Sequence, residues 1–329
     1  MILVTGATGA IGPVVVHTFR DSGFQIRTLS LDPIDPGVLP CDVEILIGDV
    51  TDFSAVKAAM ENVDTVVHLA ALLHIVNPSP ALRKKYEEVN VGGTANVIKA
   101  ATQVRVKHVI FFSTISVYGD SGSQVLKEDS PPRPDTFYAQ TKLTAERIVL
   151  NAKRSDGQPL GTVLRFGAIY GAGFKGNYRR LVQSLARGRF VPIGDGCNRR
   201  TLIYDQDVAQ AAVLATQHPA AAGKIFNVSD GQFHTMTEII ATICKVLGRK
   251  PPRISLPVGP VRFAAGMVED VAHLVGFQSP IARSTIDKYV EDVAVDSTRI
   301  QKELGFQPKY DLLSGWQKAV QEMRQMGNL

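Results

Sequence analysis

The chain has 329 residues, 45% of them hydrophobic and 20% charged, which suits a globular protein of about two domains or one large α/β unit with an appended lobe. Its 36 basic and 31 acidic residues leave a net charge of +5 and are interspersed without a basic run, so nucleic acid is disfavoured as a partner. Three widely spaced cysteines, Cys41, Cys197 and Cys244, exclude a disulfide framework and a CxxC zinc site, and they fit a reducing cytosol.

The chain opens on "MILVTGATG", which leaves no room for a cleaved signal peptide. "ILVT" reads as a strand, and "TGATGAIG" follows it with Gly6, Gly9 and Gly12 at Gly-x-x-Gly-x-x-Gly spacing before a helix over 13–22 stopped by Gly23. Glycines there permit a tight turn and bare backbone beside a pyrophosphate, while the helix N-terminus offers unpaired N–H groups. "FQIRTLS" is the next strand and ends at Ser30, where an acidic residue would bind a 2′-hydroxyl and an arginine a 2′-phosphate. Asp32 follows in a turn and Arg27 lies earlier in the strand; the balance leans to NAD and leaves NADP open.

"VEILIG" is a strand, 52–61 a helix, "TVVHLA" a strand, 82–103 a long helix and "HVIFFS" a strand. The apolar stretch 63–76 is interrupted by Asp64, His68 and His74 and is too short to span a membrane. After "SPPRPDT" a helix runs from Phe137 to about Asn151, and "GTVLRFGAIYG" supplies another strand. Strands apolar on both faces that alternate with helices predict an α/β, Rossmann-type doubly wound parallel sheet. Beyond residue 170, glycine-rich turns separate shorter elements, and "PPRISLPVGP" reads as a loop or edge strand. We therefore expect a nucleotide-binding domain over 1–170 and a smaller substrate-binding lobe over 171–329, with elements free to cross back. Seven histidines without HExxH or ligand spacing predict no metal.

The helix at 137–151 places Tyr138 and Lys142 four positions apart on one face. Such a spacing arises by chance about 0.4 times in this composition, so the pair gains meaning only from its context. That context resembles the extended short-chain dehydrogenases/reductases, also called the NAD-dependent epimerase/dehydratase family. The resemblance runs over nearly the whole chain, on "TGATGAIG", "GDVTD", "VVHLAA", "VNVGGTANVIKAA", "FFSTISVYG", "YAQTK", "LRFGAIYG", "RRTLIYDQDVAQA" and "DSTRIQKELGF" in family order.

The resemblance implies that Asp49 and Val50 contact adenine, that Leu69, Ala70 and Ala71 line the cofactor, and that Asn90 lies near it. It also assigns Thr8, Ala10, Ile11 and Phe166 to the cofactor, beside the glycines and Ser30. The resemblance also assigns Thr114 to hydrogen-bond the substrate, ahead of Ser113, which precedes the family's hydroxyl by one position; a strand lets only one of the two neighbours point there. Tyr138 is the expected general base, with Lys142 lowering its phenol's pKa by about 1 to 3 units while also holding the cofactor ribose.

Ile115 and Ser116 stand where the family's sugar dehydratases carry an Asp-Glu pair, which disfavours dehydration. Arg200 matches the arginine that grips the substrate pyrophosphate in nucleotide-sugar epimerases, and Asn177 falls in a segment comparable to their uridine contact. The leading expectation is a cytoplasmic UDP-sugar 4-epimerase or 4-keto reductase that uses NAD, acts as a homodimer through helices including 82–103 and 138–151, and has no membrane partner. The alternative is a 3β-hydroxysteroid-dehydrogenase-like enzyme, for which the apolar stretch 258–277 would line a greasy pocket, although such a stretch is more often an amphipathic core or lid helix. A non-catalytic NAD(P) sensor is the third reading, and it has no use for a base.

Overall fold

The computed structural model describes residues 1–73, 79–174, 176–274 and 282–329, without the side chains of 273 and 274. Lys175 and the ends of the two apolar stretches, 74–76 and 275–277, lie outside the described residues.

The first half follows the order β1 (Ile2–Thr5), α1 (Gly12–Asp21), β2 (Ile26–Ser30), β3 (Glu44–Ile47), α2 (Phe53–Ala59) and β4 (Thr65–His68). Then come α3 (Pro80–Tyr86), a π-helix (Glu87–Gly93), α4 (Thr94–Gln103), β5 (His108–Thr114), a 3₁₀ turn (Ile115–Tyr118), α5 (Phe137–Asn151) and β6 (Gly161–Phe166). Local chemistry explains many boundaries. Asp52 caps α2 by accepting from Ser54 N, Thr136 caps α5 by accepting from Ala139 N, and Pro13 opens α1.

The second half supplies β7 (Ala168–Tyr170), α6 (Asn177–Ala186), β8 (Arg199–Arg200), β9 (Leu202–Tyr204), α7 (Asp205–Gln217) and β10 (Ile225–Val228). It ends with β11 (His234–Thr235), α8 (Met236–Leu247), α9 (Val258–Leu274), α10 (Arg283–Val290), α11 (Thr298–Leu304) and α12 (Leu312–Gln325).

The seven-stranded sheet has the order β10-β6-β5-β4-β1-β2-β3, and every pairing in it is parallel. The direction of winding reverses between β1 and β4, which opens a crevice at the carboxyl ends of these strands. One face is covered around Val15, Phe19, Val208 and Ile300, from α1, α7 and α11. The other is covered around Val56, Val97 and Val149, from α2, α4 and α5. A third core gathers round Trp316 between α6, α8 and α12.

Two expectations are corrected. The strand read over 161–171 is two strands, because the chain leaves the main sheet at Gly167, whose N–H donates to Val228 while Ala168 N donates to Thr201. β7 then pairs with β9 in a separate two-stranded sheet. Both halves are apolar, so hydrophobic pattern carries no sign of the break. The helix read over 82–103 begins at Pro80 and contains a π-helical turn, with Gly93 so close to β3's following loop that a Cβ would lie 2.7 Å from Val50 Cγ2.

Candidate active site

At the end of β1 the chain turns at Gly6 with φ +76°, and a Cβ there would lie 2.7 Å from the backbone of Ala70. A Cβ at Gly12 would lie 2.2 Å from Ala7 O. The turn is thus pressed against the loop after β4, and α1 starts close to the sheet. Thr8 and Gly9 are exposed, Ala10 and Ile11 are half-buried, and no side chain caps α1 at Ile11. A helix start with bare backbone and uncapped N–H groups fits a pyrophosphate.

Ser30 ends β2 with a buried hydroxyl that has no hydrogen-bond partner among the described residues. Arg27 is committed elsewhere: its Nε is 2.8 Å from Glu44 Oε2, and its NH1 donates to Ala59 O and Glu61 O. The arginine that would have paired with a 2′-phosphate is therefore tied to the outer strand, which favours NAD over NADP. Asp49 caps its own loop by accepting from Thr51 N, and the carbonyl of Val50 accepts from Asn96 Nδ2. Leu69, Ala70 and Ala71 are half-buried at the crevice. Phe166 departs from the expectation for its side chain: the ring is 2% exposed and packs 4.7 Å from Phe112 in the core.

Asn90 lies in the π-helical turn and is fully packed. Its Oδ1 accepts from Leu72 N at 2.8 Å, and its Nδ2 donates to Thr141 Oγ1 at 3.2 Å, so it straps the loop after β4 to α5. A second chain of bonds reaches it from below. Thr94 donates to Asn90 O at 2.7 Å, so Thr94 Oγ1 accepts from His68 Nε2 at 3.0 Å, and His68 Nδ1 in turn accepts from Thr5 Oγ1 at 2.7 Å. His68 is therefore a neutral imidazole with its proton on Nε2. Burial, and then the Lys142 charge, hold its pKa down at about 3. The described histidines His17, His68, His108, His218 and His234 all make hydrogen bonds.

The α5 face carries Tyr138, Lys142 and Glu146 at successive i, i+4 positions. Lys142 is 3% exposed, its Nζ is 4.1 Å from the Phe111 ring centroid, and burial lowers its pKa to about 7 against a raising influence from Glu146. Burial, and then Tyr86, push the Tyr138 phenol above its ordinary value. This corrects the expected direction: Lys142 rests on an aromatic face, and desolvation governs the phenol. The Tyr86 ring lies 6.4 Å from that of Tyr138, and its hydroxyl donates to Leu73 O.

Thr114 and Ser113 part as strand alternation requires. Ser113 is buried and donates to Glu146, which also holds Arg165 through Nε at 3.0 Å and NH2 at 2.6 Å. Arg165 NH1 then donates to Tyr118 OH, and Tyr118 to Asn227. Thr114 is half-buried at the end of β5, where its Oγ1 accepts from Ser116 N and donates to Ser116 Oγ at 3.1 Å. Sequence reasoning missed Tyr86, His68 and Glu146; of these only Glu146 had a readable signal, the third member of the i, i+4 series.

On the substrate side, Arg199 and Arg200 also part. Arg199 is bound to Asp292, with Nε 2.9 Å from Oδ2. Arg200 NH2 donates to Lys288 O at 2.6 Å and Tyr289 O at 2.9 Å, at the end of α10, while burial pushes the nearby Tyr178 phenol up to about 12 against a lowering influence from the Arg200 charge. Asn177, next to Tyr178, is exposed at the start of α6. Lys288 reaches back to Asp135 Oδ2 at 2.5 Å, three residues before Tyr138, so α10 links the two sides.

Comparison with known proteins adds to this geometry. Residues 2–229 match the model of the NAD dependent epimerase/dehydratase family. A "UDP-glucose 4-epimerase" of Vibrio cholerae is 27% identical over 99% of this chain and 96% of its own. A "3 beta-hydroxysteroid dehydrogenase/Delta 5-->4-isomerase" of Mycobacterium tuberculosis (strain CDC 1551 / Oshkosh) is 26% identical over 94% of this chain and 86% of its own. The solved structure "MoeE5 in complex with UDP-glucuronic acid and NAD" superposes with a TM-score of 0.79, at 27% identity, covering 99% of both chains.

Proposed function

The chain belongs to this NAD-dependent epimerase/dehydratase family, and from that premise we propose that it oxidises and re-reduces a hydroxyl of a nucleotide sugar, as a UDP-sugar 4-epimerase or 4-keto reductase. NAD is the cofactor of the family, and it supplies hydride acceptance and return when bound in the crevice beside the Gly6 turn and Ser30. The observation that carries the reading is the division of labour at β5 and α5. Ser113 is spent on Glu146, which leaves Thr114 as the hydroxyl at the strand end, while α5 presents Tyr138 and Lys142 on one face.

Thr114 orients the reacting alcohol oxygen and Tyr138 takes and returns its proton, while Lys142 on the same helix face would hold the cofactor ribose. Asn90 positions both sides by fixing the β4 loop against α5. Asn177 and Arg200 hold the nucleotide diphosphate from the second lobe. Ile115 and Ser116 offer no carboxyl pair for eliminating water, which supports epimerisation or reduction over dehydration.

Denaturing the purified protein and assaying the supernatant for NAD tests whether cofactor is retained, as a cycling epimerase requires. UDP is expected to raise Tm, and Arg200→Ala to abolish that shift. A UDP shift that survives Arg200→Ala removes the sugar assignment. The steroid reading draws support from the Mycobacterium relative, and oxidation of a sterol without any UDP response would promote it. Its greasy-pocket argument weakens, because α9 turns Phe263 and Met267 outward. The reading also carries a homodimer through α4 and α5, for which light scattering is expected to give twice the mass of the 35.6 kDa chain.

A further inference from the structure

Helix α9 is amphipathic in the inverted sense. At about 100° per residue, Pro260, Phe263, Ala264, Met267, Val268 and Val271 share one arc of about 140°. All six are exposed, with Phe263 at 71% and Met267 at 56%. The small residues Ala265 and Gly266 are buried instead, and the charged side chains of Arg262 and Asp270 lie outside the apolar arc and reach α10. Arg262 Nε is 2.7 Å from Asp287 Oδ1, and Asp270 Oδ2 is 2.6 Å from Arg283 NH2, so α9 is bound to α10 by its charges. A Cβ on Gly266 would lie 2.3 Å from Arg283 Nε. An arc of this kind on a monomer marks a contact surface.

The surroundings identify the partner's chemistry. Leading into α9, Ile254 is 73% exposed and Leu256 is 43% exposed. Leu256 is hydrogen-bonded to Pro192 and Gly194, which brings the loop carrying Arg187, Arg189 and exposed Val191 alongside. Arg249 closes the group, since its NH1 would lie 3.6 Å from a Cβ on Gly188. Between Glu238 and Glu269 the sequence has no acidic residue and five basic ones. Exposed apolar side chains interleaved with Arg187, Arg189, Arg249 and Arg253, which have no ion-pair partner among the described residues, complement a surface that is anionic above and apolar beneath.

We propose that this face seats the protein on a membrane surface carrying anionic lipid, with the α9 arc at the headgroup–acyl boundary and Arg187, Arg189, Arg249 and Arg253 on the phosphates. The inference is independent of the catalytic reading and replaces the expectation of no membrane partner. No described helix is long and apolar enough to cross a bilayer, so the contact lies on the surface. The lobe that carries Arg200 and α10 is then the one nearest the lipid.

The test mixes the full chain with vesicles of phosphatidylcholine alone and of phosphatidylcholine with about 30% phosphatidylglycerol, followed by sedimentation. The protein should pellet with the anionic vesicles and be released at about 0.5 M salt. Phe263→Glu/Met267→Glu should remain in the supernatant, and Arg249→Glu/Arg253→Glu should bind at least about tenfold more weakly. Failure of the wild type to pellet, equal pelleting with neutral vesicles, or unaltered pelleting of either variant overturns the proposal. A halved light-scattering mass for Phe263→Glu/Met267→Glu also overturns it, and assigns the face to a second copy. Retained NAD and an unchanged Tm in these surface variants separate this outcome from a failure of the catalytic reading.

Discussion

At the scale of single residues, Lys142 concentrates the tension between stability and chemistry. Its folded pKa of about 7 lies below the ordinary 10.5, so the unfolded chain binds more protons between those values. The stability of the wild type should therefore rise with pH through that window. Lys142→Met should raise Tm at pH 7, flatten the rise toward pH 10, and abolish turnover; thermal melts at several pH values check the first two. Tyr138→Phe should keep NAD bound and lower kcat by about 10²- to 10⁴-fold in a steady-state assay. Asp205 shows the opposite sign. Burial raises its carboxyl to about 7, and its Oδ1 has no hydrogen-bond partner among the described residues. The folded chain then binds more protons between the ordinary 3.8 and that value, so stability is lost as pH rises through the window. Asp205→Asn should melt higher than wild type at pH 8, with the advantage shrinking toward pH 5.

At the scale of elements, the strands and helices of the first half were legible because β-branched runs and helical periods alternate there with glycine stops. The glycine turn and the i, i+4 pair followed from spacing, whereas the choice of Thr114 over Ser113 needed the family resemblance, since strand alternation says only that one of the two neighbours can face the substrate. What sequence could not show was geometry that leaves hydrophobic period untouched. The π-helical turn lies within a helical run that is continuous on both flanks, and the break at Gly167 separates two runs that are both apolar. The direction of the Tyr138 shift was illegible for another reason: it depends on which neighbour the Lys142 ammonium faces, and that neighbour, Phe111, comes from β5. The Asn90 strap yields a prediction at this scale. Asn90→Ala leaves Leu72 N–H without its acceptor, so it should cost about 1–3 kcal/mol in denaturant titration. It should also speed hydrogen exchange at residues 69–73 and lower kcat/KM without removing NAD.

At the scale of the whole molecule, the buried ion pair of Glu146 with Arg165 joins α5 to β6 and, through Tyr118 and Asn227, to β10. Truncating one member leaves the other charge buried, so Arg165→Ala should cost about 3–5 kcal/mol by denaturant titration. That connection crosses from the first half of the chain to the second, as does the seventh strand itself. Because Ile225–Val228 completes the sheet against Gly161–Phe166, severing the polypeptide near residue 170 would strip a nucleotide-binding half of its outermost ladder and of the α7 covering. Such a fragment should aggregate when produced alone and be rescued when the complementary piece is made in the same cell. Insertions and fusions are then better tolerated at the solvent-facing Gly157 turn than at the apparent seam between the lobes.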